Sequence, residues 1–255
     1  MIDLHCHILP GVDDGPETME ESIQMAKEAV KQGIHTIVAT PHHQTSSYMN
    51  EKKTIIHKVN EINEIFKNND ITLTIMPGQE VRLYGELIGD YESGTIQTLN
   101  ETNKYVLVEF PANHVPRYAE SLLYDMQLKG LTPIIAHPER NAAIIERSSV
   151  LYKLIEKGAL AQLTAASLTG DFGKNIKKFS MQLIEHNLVH MLASDAHNIT
   201  NRPFKLRDAY GTLEKEFGAE TLYLFQENVY SIIAGKPVYK SDPEPVRRRK
   251  LFGIF

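Results

Sequence analysis

Two histidines flank a single cysteine in DLHCHILPGVDDG (residues 3–15), close to the start of the chain. Successive side chains of an extended strand point to opposite faces, so His5 and His7 share one face and Cys6 takes the other. Such a pair can hold a metal ion with two imidazoles, or it can be two hydrogen-bonded histidines of a core. Three further segments favour the metal. ATPHH (39–43) supplies His42 and His43, AHPER (136–140) supplies His137, and ASDAH (193–197) repeats the alternation with Asp195 and His197. Glu80 and Glu109 add carboxylates. Nitrogen and oxygen donors without thiolate suit Mn, Fe or Zn in a hydrolytic site better than a Cys-rich structural zinc site. They exceed what one ion can use, which implies at least two ions.

Two arginines lie near these residues in sequence, Arg140 at the end of AHPER and Arg202 five positions after His197. A guanidinium clamps phosphate oxygens and stabilises the negative charge of a phosphoryl transition state, so both are candidate catalytic groups. The single cysteine permits a test of a rival chemistry. Cysteine-dependent tyrosine phosphatases need an arginine six positions after the nucleophile, and the residue six after Cys6 is Val12. Cys6 is therefore expected to pack in the wall behind the two histidines.

The candidates occupy the ends of a repeated pattern. Seven apolar runs, at 1–7, 35–43, 72–81, 104–111, 132–140, 159–165 and 189–197, alternate with helical patterns at 17–33, 51–68, 117–129, 142–157, 174–187 and 203–217. Strand–helix alternation indicates an α/β fold with parallel strands. Nearly every run begins apolar and ends in histidine or a carboxylate. In a β/α barrel those ends converge on one rim, where active sites of such barrels lie. The expectation is one domain over 1–245, followed by a basic tail at 246–255. His35 and His190 begin strands, far from that rim, and read as structural; His57 and His186 fall in helical patterns. His43 is a neighbour of the site, His114 is a loop residue near its entrance, and Tyr48 and Phe110 are candidates to flank an aromatic substrate.

Composition narrows the remaining classes. The chain has 255 residues and a net charge of −5, without the basic excess that phosphate-backbone binding requires, so nucleic acid is a poor partner. One cysteine cannot form an internal disulfide, the start lacks a signal-peptide pattern, and no stretch reaches the ~20 apolar residues of a membrane span. These features lead to an expectation of a cytoplasmic protein. The tail RRRKLFGIF reads as solvated, with a partner or an anionic membrane surface as the other use of its charge.

The blocks DLHCH, TPHH, HPER and SDAH, in this order, resemble the motifs of the polymerase and histidinol phosphatase (PHP) superfamily. The longer string DLHCHILPGVDDGP, with an arginine soon after SDAH, is most similar to its bacterial manganese-dependent protein tyrosine phosphatases of the CpsB/YwqE type, and the likeness runs from residue 2 to about 235. The resemblance implies a distorted TIM-like (β/α)7 barrel with three metal ions, Mn2+ foremost and Fe or Zn as the other choices. The ligands it implies are His5, His7, Asp14, His42, Glu80, Glu109, His137, Asp195 and His197, with Asp13 competing for the place of Asp14. It implies hydrolysis of phosphotyrosine by a metal-bridging hydroxide, clamped by Arg140 and Arg202, with His42 or His197 as the acid if one is used. Its implied substrates are phosphotyrosine proteins, among them a bacterial tyrosine kinase, in capsule or exopolysaccharide regulation. Three alternatives remain: a small-molecule phosphatase such as histidinol phosphatase, a non-catalytic metal-stabilised regulator, and an amidohydrolase barrel, which would call for a bridging lysine.

Overall fold

The computed structural model describes residues 1–246, so the expected basic tail lies almost wholly outside the described residues. In chain order its elements are β1 (Ile2–Cys6), α1 (Met19–Lys31), β2 (Thr36–Ala39), β3 (His42–His43), α2 (Lys52–Asn68), β4 (Thr74–Pro77), β5 (Glu80–Arg82) and α3 (Leu87–Glu92). There follow β6 (Tyr105–Glu109), α4 (Ala119–Leu128), β7 (Thr132–Ala136), α5 (Ala142–Glu146), α6 (Ser149–Glu156), β8 (Leu160–Thr164), α7 (Ala165–Thr169), α8 (Lys174–Glu185), β9 (Met191–Ala193) and α9 (Leu206–Ile233).

Every strand pair is parallel, in the orders β1-β2-β4 and β3-β5-β6-β7-β8-β9. The second run of the sequence is divided into β2 and β3, and the third into β4 and β5, so the seven runs make one seven-stranded barrel. The second division has a visible steric cause. A Cβ on Gly78, between β4 and β5, would meet Val38 Cγ1 at 2.5 Å, so only glycine allows the strands this close. The ring closes where Cys6 bridges Ala196 and the His7 amide donates to Ala196 O at 2.9 Å.

Along each strand the residues alternate between two apolar layers. Leu4, Val38, Leu107, Ile134, Leu160 and Met191 fill the barrel interior. Ile37, Val106, Ile135, Leu163 and Leu192 face outward into a layer shared with helix residues such as Met126, Leu154 and Leu183. Burying each such aliphatic side chain stabilises the fold by roughly 1.5–3 kcal/mol.

Local signals set the helix bounds. Thr18 and Glu21 form a reciprocal capping box at the start of α1, and Gly33 leaves it with φ +81°. The patterns at 142–157 and 203–217 describe less than the chain builds. The first divides into α5 and α6 at Arg147–Ser148. Gly218 (φ 86°, ψ 167°) interrupts α9 where the second pattern ends, but the chain resumes its helix to Ile233. That second half inserts Val229 and Ile232 beneath the barrel against Leu99, and Tyr105 Oη donates to Lys236 O just beyond it. Among the described residues no helix is long and apolar enough to cross a membrane.

His190, at the base, is buried as a structural histidine. Its Nδ1 accepts from the Ala161 amide at 3.2 Å and its Nε2 has no hydrogen-bond partner. Burial, assisted by Lys240, lowers its pKa from 6.5 to about 4. The unfolded chain therefore binds this proton more readily, and stability falls as pH drops from 6.5 towards 4. In metal-stripped protein, His190→Asn is expected to remove about 2 kcal/mol of the loss between about pH 6.5 and 4.5. Urea midpoints of the two proteins across that range provide the check, and parallel curves would show that His190 stays neutral.

Candidate metal centre

Two departures from strand regularity aim the chemistry-bearing side chains inward. In β1, Ile2 and Leu4 face the interior, so strict alternation would send His5 outward. The pairing with β2 shifts by one residue between Asp3 and Cys6, a bulge that resets the alternation. His5 and His7 then follow Leu4 into the barrel, while Cys6, fully buried, joins the outer layer as expected. At the end of β7, Ala136 faces inward and His137 would face out, but His137 adopts a left-handed backbone (φ 34°, ψ 54°) that redirects it. Asp195 also has positive φ, at 55°. Such conformations cost on the order of 1 kcal/mol or more in a non-glycine residue and persist where the surroundings enforce them.

All nine residues of the implied ligand set meet at this rim. The donors of His7, Asp14, His42 and His197 form one group, those of His5, His7 and Glu80 a second, and those of His42, Glu80 and Glu109 a third, each within 4.8 Å. His137 Nε2 lies 2.8 Å from Glu80 Oε1, and Asp195 Oδ1 lies 3.4 Å from His5 Nε2. Glu80 thus stands at the centre, touching His5, His7, His42 and His137.

The two neighbouring aspartates divide their work. Asp13 Oδ2 accepts from His7 Nδ1 at 2.7 Å and from the His42 amide at 3.1 Å, while its Oδ1 accepts from the Gly15 amide. Asp14 instead directs Oδ1 at His197 Nε2, 3.2 Å away, and at His42 Nε2, 3.4 Å away. Gly15 permits this turn, because a Cβ there would meet His7 O at 2.3 Å.

The orienting partners define what the imidazoles offer. His5 Nδ1 faces Gln162 Oε1 at 2.9 Å, and His7 Nδ1 faces a carboxylate; both nitrogens therefore donate. The two Nε2 atoms, 3.2 Å apart, are left with lone pairs directed at one another. A cation between or beside them satisfies both lone pairs. Burial opposes charge on His5, but Glu80 and Asp195 hold its pKa above the usual range; His7 is raised further by Asp13. Glu80 is held well below the carboxylate range against its burial by His5 and His42, and Asp195 by Arg140 and His5. Burial and then Glu80 push Glu109 up to about 7, whereas burial brings His137 and His197 down to about 4. Buried His42 Nδ1, Glu80 Oε2 and His197 Nε2 also lack conventional hydrogen-bond partners. A divalent cation fits this donor set.

Both arginines reach the centre. Arg140 donates to Asp195 Oδ2, and Arg202 spans Asp14 Oδ2 at 3.2 Å and Asp195 Oδ1 at 3.3 Å. Together with Phe110, Asn141 and several of the nine they line a cavity of about 340 Å³. No lysine lines it among the described residues. Tyr48 stacks on His42 with 6.1 Å between ring centroids. His35 and His57 are exposed and distant from the centre; His43 is buried without a partner for either ring nitrogen.

Sequence reading overlooked four contributors. Gln162 sits mid-strand in β8 with no histidine or carboxylate nearby to mark it. Arg82 holds Glu109 through Nη2 at 2.7 Å, and Phe172 lies under the Arg140 guanidinium, 5.5 Å from Cζ. Asp3, two positions before His5, accepts from the Ser194 amide and hydroxyl and closes the seam between β1 and β9.

The family model for capsular polysaccharide synthesis proteins CpsB/CapC matches residues 1–234. The chain belongs to the CpsB/CapC family. It is 51% identical to the tyrosine-protein phosphatase YwqE of Bacillus subtilis over 255 residues, the full length of both. It is 33% identical to the tyrosine-protein phosphatase CpsB of Streptococcus pneumoniae, over 91% of this chain and 98% of that one. A crystal structure from work on YwqE and CpsB, described as metal-dependent tyrosine phosphatases, superposes with a TM-score of 0.95 at 50% identity, covering 97% of this chain and 100% of that one.

For this CpsB/CapC member, the hydrogen bonds to His5 and His7 can be tested separately from the ligands themselves. Gln162→Leu and Asp13→Asn should each weaken Mn2+ binding about 10- to 100-fold, while Gln162→Glu, which keeps the acceptor, should retain most of it. Calorimetric titration of stripped protein measures this directly, and unaltered affinity in Gln162→Leu would remove its orienting role.

Proposed function

We propose that the protein is a metal-dependent protein-tyrosine-phosphatase that hydrolyses phosphotyrosine in proteins, a bacterial tyrosine kinase among them, within capsule or exopolysaccharide regulation. One observation carries the reading: three overlapping groups of metal-ligand donors and two arginines open on the same cavity. The relatives named as tyrosine-protein phosphatases match across nearly the whole chain, which supports the choice of substrate.

The proposed ligands are His5, His7, Asp14, His42, Glu80, Glu109, His137, Asp195 and His197. Three donor groups sharing His7, His42 and Glu80 favour three ions, with Mn2+ as the proposed metal. The engagement of Asp13 with His7 favours Asp14 over Asp13. Bound divalent ions would offset the charge of the phosphate and activate water for attack on phosphorus.

The chain's own residues supply the remainder. Arg140 and Arg202 hold the phosphate oxygens and stabilise charge that grows on them in the transition state. Their present carboxylate partners, Asp195 and Asp14, keep both guanidinium groups aimed at the cavity before substrate arrives. The phenolic leaving group has a pKa near 10, far below that of an alkoxide, and so needs little protonation. Where a proton is given, His42 is the proposed donor through whichever ring nitrogen holds no metal ion, because its ring lines the cavity while His197 is buried. Phe110, Phe172 and Tyr48 place aromatic surface around the phosphate site for a tyrosine ring.

Stripped protein resupplied with Mn2+ is expected to release phosphate from a phosphotyrosine peptide and not from a phosphoserine peptide or histidinol phosphate. Arg140→Ala and Arg202→Ala should each lower kcat/KM by about 10²- to 10³-fold, and chelator should abolish turnover. Activity confined to histidinol phosphate would transfer the function to the small-molecule branch.

A further inference from the structure

Beside the metal-centre cavity runs a second, larger hollow of about 700 Å³, bounded by the loop after β6 and by α4, α5 and α6. Its charged wall is cationic. Arg117, Arg147 and Lys153 line it and are exposed, and none has a carboxylate within 4.0 Å among the described residues. Glu120, the one carboxylate in the lining, is held by Lys157. In a chain of net charge −5, three cations to one carboxylate in one concavity run against the average.

The two hollows share a wall. Ala112 and Asn141 line the catalytic cavity, while His114 and Ala143 line the groove. Asn141 Nδ2 fixes this wall by donating to Pro111 O at 2.8 Å and His114 O at 3.1 Å, and the Ala142 amide donates to Ala112 O. Between Ala112 and His114 lie only two residue steps, at most roughly 7 Å of extended chain. A peptide with its phosphotyrosine in the cavity therefore reaches the groove within about three residues.

We propose that this groove is a docking surface for acidic residues flanking the phosphotyrosine of a protein substrate. The inference rests on the phosphatase reading and adds to it a substrate preference set outside the metal centre. Charge complementarity identifies the occupant: an extended acidic segment offers carboxylates to Arg117, Arg147 and Lys153, and guanidinium groups pair well with them. A concave groove between helices also favours a peptide chain over a flat anionic membrane.

The test compares Mn2+-loaded wild type with the triple variant Arg117→Ala/Arg147→Ala/Lys153→Ala on three substrates. These are a phosphotyrosine peptide flanked by Asp and Glu, the same peptide with Asn and Gln in their place, and p-nitrophenyl phosphate. Wild type is expected to favour the acidic peptide about tenfold in kcat/KM, through KM, with the preference shrinking as salt rises. The variant should treat both peptides alike and hydrolyse p-nitrophenyl phosphate at the wild-type rate. Equal handling of the peptides by wild type, a preference retained by the variant, or equal losses on all three substrates would each overturn the proposal. So would binding to phosphatidylserine vesicles that depends on the three cations without any peptide preference. Fluorescence anisotropy with the same peptides reads the groove without turnover: a cation-dependent acidic preference in protein that hydrolyses none of the substrates would support the groove and defeat the phosphatase reading.

Discussion

Four carboxylates and five imidazoles share one rim of the barrel, most of them buried, and this concentration of donors is the constraint around which the rest of the molecule is arranged. Ionised carboxylates and facing lone pairs are costly away from water unless positive charge accompanies them. Arg140, Arg202 and Arg82 supply part of that charge from the edge, through Asp195, Asp14 and Glu109. Glu80 and Asp195 place carboxylate oxygens 3.4–3.5 Å from the Nε2 atoms of both His5 and His7, so the interior still favours a cation where they meet. A bound metal ion would satisfy the same field without using the imidazole lone pairs for protons.

The rim is only as well defined as the ring beneath it, and the ring closes at the seam between β1 and β9. There Asp3 reinforces a short run of backbone hydrogen bonds. Its carboxylate accepts from the Ser194 amide at 2.9 Å and from the Ser194 hydroxyl, and the Asp195 amide then donates to His5 O at 2.8 Å. Burial raises the pKa of Asp3 to about 6, a measure of how completely it is enclosed. The two segments that carry His5, His7, Asp195 and His197 are thereby held together by a side chain that touches no substrate. At the opposite end the second half of α9 packs against the base of the barrel, whose interior is a filled core beneath the catalytic rim.

Charge is distributed differently in the two hollows that share the Ala112–Asn141 wall. In the catalytic cavity four carboxylates, Asp14, Glu80, Glu109 and Asp195, face two guanidinium groups, which leaves an excess of negative charge suited to bound cations. In the neighbouring groove three cations line the wall with one carboxylate, Glu120, among the described residues. Such a division suits a reaction centre that must bind a dianion tightly and a flank that contributes preference at modest strength through solvent.

The architecture was legible because its periodic signals are local: seven apolar runs, intervening amphipathic helices, and polar residues at the run ends. The four motif blocks contained nine of the eleven residues put forward for chemistry once Asp14 and Arg202 are counted with their neighbours; Glu80 and Glu109 lay near the ends of other runs. Those residue types at strand ends determine a hydrolytic metal barrel, because parallel strands bring their C-terminal ends to one place whatever the loops do. Other features had no local signature. The bulge in β1 and the left-handed His137 decide which side chains face inward, and each breaks the alternation from which facing is read. The separation of Asp13 from Asp14 depends on a turn against His7, and Gln162 gains its meaning from a histidine 157 positions away. The sequence by itself determined which donors exist and on which strand ends they stand. Only the tertiary structure decided which lone pairs converge, because that depends on hydrogen bonds and backbone departures formed between segments remote in the chain.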